Sequence, residues 1–274
     1  MRRGITYEVA NMLYLPRKME DIKYILSGLL VAPLLPLMAV QGKRIRASVP
    51  KLPSAKGSSG YIGDGKGQAL RLITLGESTI AGIGVETHAE GFSGTLARAL
   101  ADQLGKPVAW KVYAESGYTA ERVTEKLVPQ IAENDIDLIV IGLGGNDAFH
   151  LNSPWRWRRS IRELIAALRQ RFSETPVVFT NMPPIKRFPA FTPLIKRVVG
   201  SHVELLGRSL HHVTEPMPNV FYYARVITLE DWRDRLGVSA PPADYFSDGV
   251  HPSALTYQVW ARDVAGYIRR LGIL

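Results

Sequence analysis

Ala69-Leu70-Arg71-Leu72-Ile73-Thr74-Leu75-Gly76-Glu77-Ser78-Thr79 is a mostly apolar run of strand length that ends in glycine, acid and hydroxyl residues, with Gly82 and Gly84 just beyond. Apolar residues in so short a run read as a buried strand. Ser78 then stands at the carboxyl edge of a sheet. In open α/β sheets that edge is where loops converge side chains on a ligand. Ser78 is therefore a candidate nucleophile. A serine hydroxyl attacks poorly unless a base takes its proton, so the reading demands a histidine, an acid to orient it, and N–H donors for an oxyanion.

Further along, strand-like runs at 108–113, 138–143, 177–180 and 220–223 alternate with helix-length stretches at 90–104, 119–133, 155–172, 194–213 and 253–271. The longer stretches carry apolar residues three and four apart, the helical spacing. Thr119 ahead of Arg122, and Ser253 ahead of Leu255, look like helix starts, and Gly105 and Gly272 stand where helix-ending glycine belongs. Strands alternating with helices imply a parallel sheet covered on both faces, since each parallel crossover uses a helix. The predicted fold class is α/β, a three-layer α/β/α sandwich over residues 69–274.

The remaining parts lie in other strand-end loops. Phe246-Ser247-Asp248-Gly249-Val250-His251-Pro252-Ser253 places Asp248 and His251 three apart before the last helix. One short turn at that spacing can present both, the carboxylate accepting from the ring nitrogen that faces away from the serine. The same residues also read as an Asp-Gly turn and a helix entry. Gly142-Leu143-Gly144-Gly145-Asn146-Asp147 follows another strand, and its Asn146 offers an uncharged N–H donor to an oxyanion. No Gly-Lys-Ser/Thr or Gly-x-Gly-x-x-Gly accompanies those glycines, so a nucleotide loop is weakly supported. Ala114-Glu115-Ser116-Gly117-Tyr118 follows the second strand, where Gly117 is either a turn glycine or a further N–H donor. An α/β-hydrolase elbow is excluded because it needs glycine two residues after the serine, and Ile80 stands there.

Gly76-Glu77-Ser78, the loop with Gly117, Gly144-Gly145-Asn146-Asp147 and Asp248-Gly249-Val250-His251-Pro252 together resemble the sequence blocks of the SGNH hydrolases, also called GDSL-type lipases and esterases. The likeness runs from about Leu70 to Ile268. It implies a flavodoxin-like five-stranded parallel sheet and serine-dependent hydrolysis of carboxylic esters through an acyl-enzyme, with acyl transfer or a non-catalytic binding domain as alternatives. It assigns Ser78 as nucleophile, His251 as base with Asp248 as its support, and Ser78, Gly117 and Asn146 as oxyanion donors, without a metal or organic cofactor. Glu77 departs from the aspartate usual in the family and matches a bacterial subgroup with Gly-Glu-Ser. The stretch 181–191 resembles that subgroup's substrate-side loop.

The N-terminal part is of another composition. Residues 1–47 combine a basic region (Arg2, Arg3, Arg17, Lys18, Lys23) with the uncharged run 25–40, which holds Pro33 and Pro36. That run is short for a straight membrane span of about 20 residues. A kinked anchor, an interfacial or looped-back segment, a signal peptide and a helix packed on the domain all fit it, and membrane association is the expectation. Basic residues flank it on both sides, so the side of a bacterial inner membrane is undecided. Residues 48–68, rich in proline, glycine, serine and lysine, read as a flexible linker.

The net charge of +9 suggests an anionic partner, membrane phosphate rather than nucleic acid, for which no zinc-finger spacing or RNP-like motif appears. The chain has no cysteine, which excludes disulfides, thiolate metal sites and cysteine nucleophiles. His150 is a pocket candidate. His211 and His212 read as surface residues, and His88 and His202 have no partner in sequence. Trp155, Arg156, Trp157, Arg158 and Arg159 form an aromatic and basic cluster that suits lipid headgroups, a substrate or a helix start. Arg269 and Arg270 complement the dipole of the last helix.

Overall fold

A computed structural model of the protein describes residues 19–64 and 67–274. The basic residues expected within 1–18, and residues 65–66 of the expected linker, lie outside it. The elements in chain order are α1 (Met19–Val31), α2 (Leu35–Ser48), β1 (Ser59–Ile62), β2 (Leu70–Gly76), α3 (Phe92–Leu104), β3 (Val108–Ala114), α4 (Ala120–Lys126), β4 (Leu138–Gly142), α5 (Gly145–Phe149), α6 (Pro154–Arg169), β5 (Val177–Phe179), α7 (Pro193–Thr214), β6 (Val220–Tyr222), α8 (Leu229–Leu236) and α9 (Ala254–Leu271).

The sheet runs β1-β3-β2-β4-β5-β6, with β2 to β6 mutually parallel. Side chains alternate across β2, and both faces are covered. Ile73 and Leu75 join Ile139 and Ile141 in a core closed by α4, α6 and α7, while Leu72 joins Leu138 and Val140 in a core under α3 and α9. This is the three-layer sandwich read from the pattern, and burial on both faces explains why its strands are continuous apolar runs. Because β2 pairs with β3 on one side and β4 on the other, successive connections leave β2 in opposite directions. The crevice opened there lies outside the carboxyl ends of β2 and β4, where Gly76-Glu77-Ser78 and Gly144-Gly145-Asn146 sit.

The termini follow local chemistry. Thr119, Ser153, Thr192 and Ser253 each accept a backbone N–H of the first turn they precede, and Gly105 and Gly272 close α3 and α9 with φ of 61° and 63°. The helix expected over 119–133 ends at Lys126 and gives way to a 3₁₀ turn, Val128–Gln130, since Pro129 has no N–H with which to continue it.

Two expectations change. The stretch 48–68, read as a flexible linker, contains β1, which pairs antiparallel with β3, and Lys56, which bridges to Thr87. Gly60 serves close packing, because a Cβ there would stand 2.5 Å from the Trp110 ring. The run 25–40 becomes helix broken by a 3₁₀ turn at Ala32–Leu34, beside Pro33 and Pro36. Among the described residues, 19–48 is one stretch of helix long and apolar enough to cross a membrane.

Candidate active site

The turn after β2 is tight. The Glu77 N–H donates to the Gly142 carbonyl (3.1 Å), and the N–H groups of Ile80 and Ala81 both return to the Glu77 carbonyl (2.9 Å each). Gly76 admits no side chain, since a Cβ would lie 2.2 Å from the Gly142 oxygen. Strands β2 and β4 therefore end in register, and Ser78 emerges half-buried beside the loop carrying Asn146.

The Glu77 side chain clamps these two loops together. Its oxygens accept from the N–H of Gly145 (2.8 Å), the N–H of Asn146 (3.0 Å) and the Asn146 amide (2.8 Å). Burial pushes the carboxyl up to about 7, against the pull of those donors, which favour the ionised form. The Asn146 amide also donates to the Tyr118 carbonyl (3.1 Å), so both its protons have acceptors. Asp147, buried beside it, accepts from the Ala120 N–H (2.9 Å) and the Asn152 amide (2.7 Å), tying the Gly117 loop to the same turn. Burial holds its carboxyl above the usual range.

Asp248 and His251 meet within one turn. Asp248 Oδ1 accepts from the N–H groups of Val250 (2.9 Å) and His251 (2.7 Å), and Oδ2 lies 2.7 Å from His251 Nδ1. Burial works to raise this carboxyl, but the hydrogen bonds from His251 and Val250 prevail and hold it below the ordinary aspartate range. An ionised carboxylate only accepts, so Nδ1 carries the proton and the Nε2 of neutral His251 keeps its lone pair. The loop is held on both sides. Phe246 bridges to Pro252, and the Ala190 N–H donates to the Gly249 carbonyl (3.1 Å), attaching the 181–191 stretch.

His251, Asn146 and Gly117 line one open cleft of about 750 Å³. The turn that carries Ser78 is fastened to the His251 loop. A Cβ on Gly84 would lie 2.4 Å from the Pro252 carbonyl, and Tyr257 of α9 donates to the Ile83 carbonyl (2.8 Å). Glu77 and Thr79, on either side of Ser78, face a second cavity of about 380 Å³ that Val250 and Pro252 also line. Among the described residues Ser78 Oγ has no hydrogen-bond partner, and neither the Ser78 N–H nor the Gly117 N–H has a protein acceptor. Gly117, at φ +86°, holds its backbone in a conformation that favours glycine.

Residues 74–259 match the model of the GDSL-like lipase/acylhydrolase family. The chain belongs to that family. It is an ester-cleaving hydrolase by membership, and the solved structures with this fold include one acyltransferase as well. The lipase Lip_vut3 from a goat rumen metagenome is 18% identical, with a TM-score of 0.51 over 73% of this chain and 98% of its own. TesA is 21% identical, with a TM-score of 0.53 over 74% and 99%. The salicylyl-acyltransferase SsfX3, from a tetracycline biosynthetic pathway, is 14% identical, with a TM-score of 0.52 over 77% and 57%. No curated protein matches the chain by sequence.

Other residues singled out in this GDSL-family chain divide by place. His150 lines the cleft, its Nδ1 2.7 Å from the Asn146 carbonyl. His202 is buried, its Nε2 2.9 Å from the Asn152 carbonyl. His88 is buried, and desolvation holds its pKa down. His212, read as a surface residue, lies 3.4 Å from Glu20 of α1. The 155–159 cluster receives the N-terminal helix. Arg158 pairs with Asp21 (2.7 Å), Tyr24 meets Trp155 edge-on, and Trp157 is fully buried. Glu77 and Asp147 are the site residues whose clamping roles sequence reasoning missed. For Glu77 the only signal was an acid directly following a strand, which reads equally as a loop carboxylate, and Asp147, inside α5, gave none.

Proposed function

We propose that this protein hydrolyses carboxylic esters through an acyl-enzyme on Ser78. His251 Nε2 takes the Ser78 proton as Oγ attacks the acyl carbonyl. The tetrahedral oxyanion is met by the N–H groups of Ser78 and Gly117 and by the Asn146 amide, through the proton that in the free protein goes to Tyr118. His251 then protonates the leaving alcohol, and water, deprotonated by the same imidazole, releases the acid. Asp248 keeps the imidazole in the tautomer this requires. The observation that carries the reading is the 2.7 Å contact of Asp248 with His251 Nδ1, at the rim of a cleft shared with Asn146 and Gly117.

The substrate is an ester of a small molecule, lipid or glycan, and the apolar N-terminal helix associates with a membrane. No nucleic acid partner and no cofactor enter the scheme. Acyl transfer uses the same acyl-enzyme with an alcohol in place of water, and product analysis with an added alcohol acceptor separates the two. Ser78→Ala and His251→Ala are each expected to lower turnover of a short p-nitrophenyl ester by roughly a thousandfold or more. Unchanged turnover in Ser78→Ala overturns the assignment.

A further inference from the structure

The helical stretch 19–48 touches the domain through both α1 and α2, and α2 lines the cleft. At its start, Asp21 and Arg158 form an ion pair with side chains only 3% and 6% exposed. The Tyr24 hydroxyl donates to the carbonyl of Leu151 (2.9 Å), a residue held at φ +51° in the loop between α5 and α6. Farther on, the Thr192 hydroxyl donates to Gln41 Oε1 (2.6 Å), and Met38 and Ile45 pack against the core beneath α7. Leu35, Met38 and Ile45 then line the same cleft as His251, Asn146 and Gly117, facing Phe149, Phe191 and Val199 across it.

The outward face of this helix is apolar and bare, with Leu26 57%, Leu29 70% and Leu30 79% exposed. Beside the cleft, Lys43, Arg46 and Lys51 line a shallow depression, and among the described residues none of them has an acidic partner within salt-bridge distance. Exposed leucines with unpaired cations at their border are the surface that a bilayer with anionic headgroups covers.

We propose that α1 and α2 are part of the active site, and that the substrate is an acyl ester of an anionic membrane lipid. The leucine face lies in the bilayer, the cations meet lipid phosphate, and the acyl chain passes between α2 and the Phe149, Phe191 and Val199 wall to reach Ser78. This rests on the hydrolase reading above and specifies its substrate. Leu35, Met38, Ile45, Phe149, Phe191 and Val199 give the cleft an apolar flank, and Arg46 and Lys51 also line it, which suits an acyl chain carried by an anionic headgroup better than a sugar.

Full-length protein is assayed with p-nitrophenyl acetate, with p-nitrophenyl palmitate in detergent, and for binding to anionic and zwitterionic vesicles. Met38→Trp narrows the slot and is expected to lower the palmitate-to-acetate ratio of kcat/KM by about tenfold or more, since single apolar groups in such slots discriminate by that much. Met38→Ala widens the slot and is expected to change the ratio in the opposite direction, which keeps the test sound if the tryptophan variant folds poorly. Leu29→Asp with Leu30→Asp is expected to abolish vesicle sedimentation, and wild type to prefer anionic vesicles. A ratio unmoved in both Met38 variants, or wild type that binds no vesicle, overturns the proposal. Failure of the hydrolase reading differs, because neither ester is then turned over and Ser78→Ala changes nothing.

Discussion

Glu77 shows how one methylene can organise a site. An aspartate at this position would have to reach the N–H groups of Gly145 and Asn146 with a shorter arm, whereas glutamate meets both, and the Asn146 amide, at 2.8 to 3.0 Å. Glu77→Gln puts an amide donor against one of these N–H groups and leaves it buried without an acceptor, which is expected to cost about 1–3 kcal/mol. A second consequence concerns pH. Between the ordinary value of 4.5 and about 7, the folded chain holds a Glu77 proton that the unfolded chain has released. The contribution of this group to stability therefore falls as pH rises through that window and is flat above it. Denaturant unfolding across the window is expected to show that slope in wild type and to lack it in Glu77→Gln. Asp248 works in the other sense, anchoring one tautomer of His251. Asp248→Asn can offer Nδ1 only an amide, and kcat is expected to fall roughly a hundredfold to ten-thousandfold while KM moves little.

At the scale of elements, the parallel strands were legible because burial on both faces leaves no polar alternation to confuse them, and because their crossovers demand helices. Helix limits followed where a hydroxyl or glycine acts within one turn, as at Thr119, Ser253 and Gly105. What escaped were features whose partners lie far away in sequence. Nothing near Trp155 or Arg158 announces that Asp21, 137 residues earlier, completes them. A basic and aromatic cluster without that knowledge suits a lipid surface as well as a helix dock. Strand β1 escaped because glycine and serine, chosen there to pass under Trp110, have the composition of a linker. The docked helix yields its own expectation. Removing one member of a buried ion pair leaves the other uncompensated, at a cost of about 3–5 kcal/mol. In Asp21→Ala that cost falls on the docking of α1, and limited proteolysis is expected to cut within 25–48 faster than in wild type, with the catalytic domain still intact.

For the whole molecule, the N-terminal helix is docked on the sheet domain, through Asp21 with Arg158, Tyr24 with Leu151 and Gln41 with Thr192, rather than held away from it. β1 covers the outer edge of β3, so a chain beginning at residue 69 exposes those backbone groups to another copy. Such a chain is expected to aggregate at concentrations where one beginning at residue 54 stays monomeric, as light scattering would report. Three of the four expected loops follow β2, β3 and β4 and are brought together by strand order, since β2 lies between β3 and β4. The Asp248–His251 loop was read as a strand-end loop as well, but it follows α8 and a 3₁₀ turn, and long-range contacts such as the Ala190 N–H with the Gly249 carbonyl hold it. The α2 wall of the cleft was not legible, because its partners, such as Thr192 for Gln41, lie far away in sequence.

In the proposed mechanism the Ser78 hydroxyl, served by His251, is the group that takes the acyl chain. Mass spectrometry of the protein after reaction with a fluorophosphonate tests it directly. One adduct is expected, on the peptide containing Ser78, lost in Ser78→Ala and strongly slowed in His251→Ala. An adduct on another residue, or none at all under conditions where wild type turns over an ester, would contradict it.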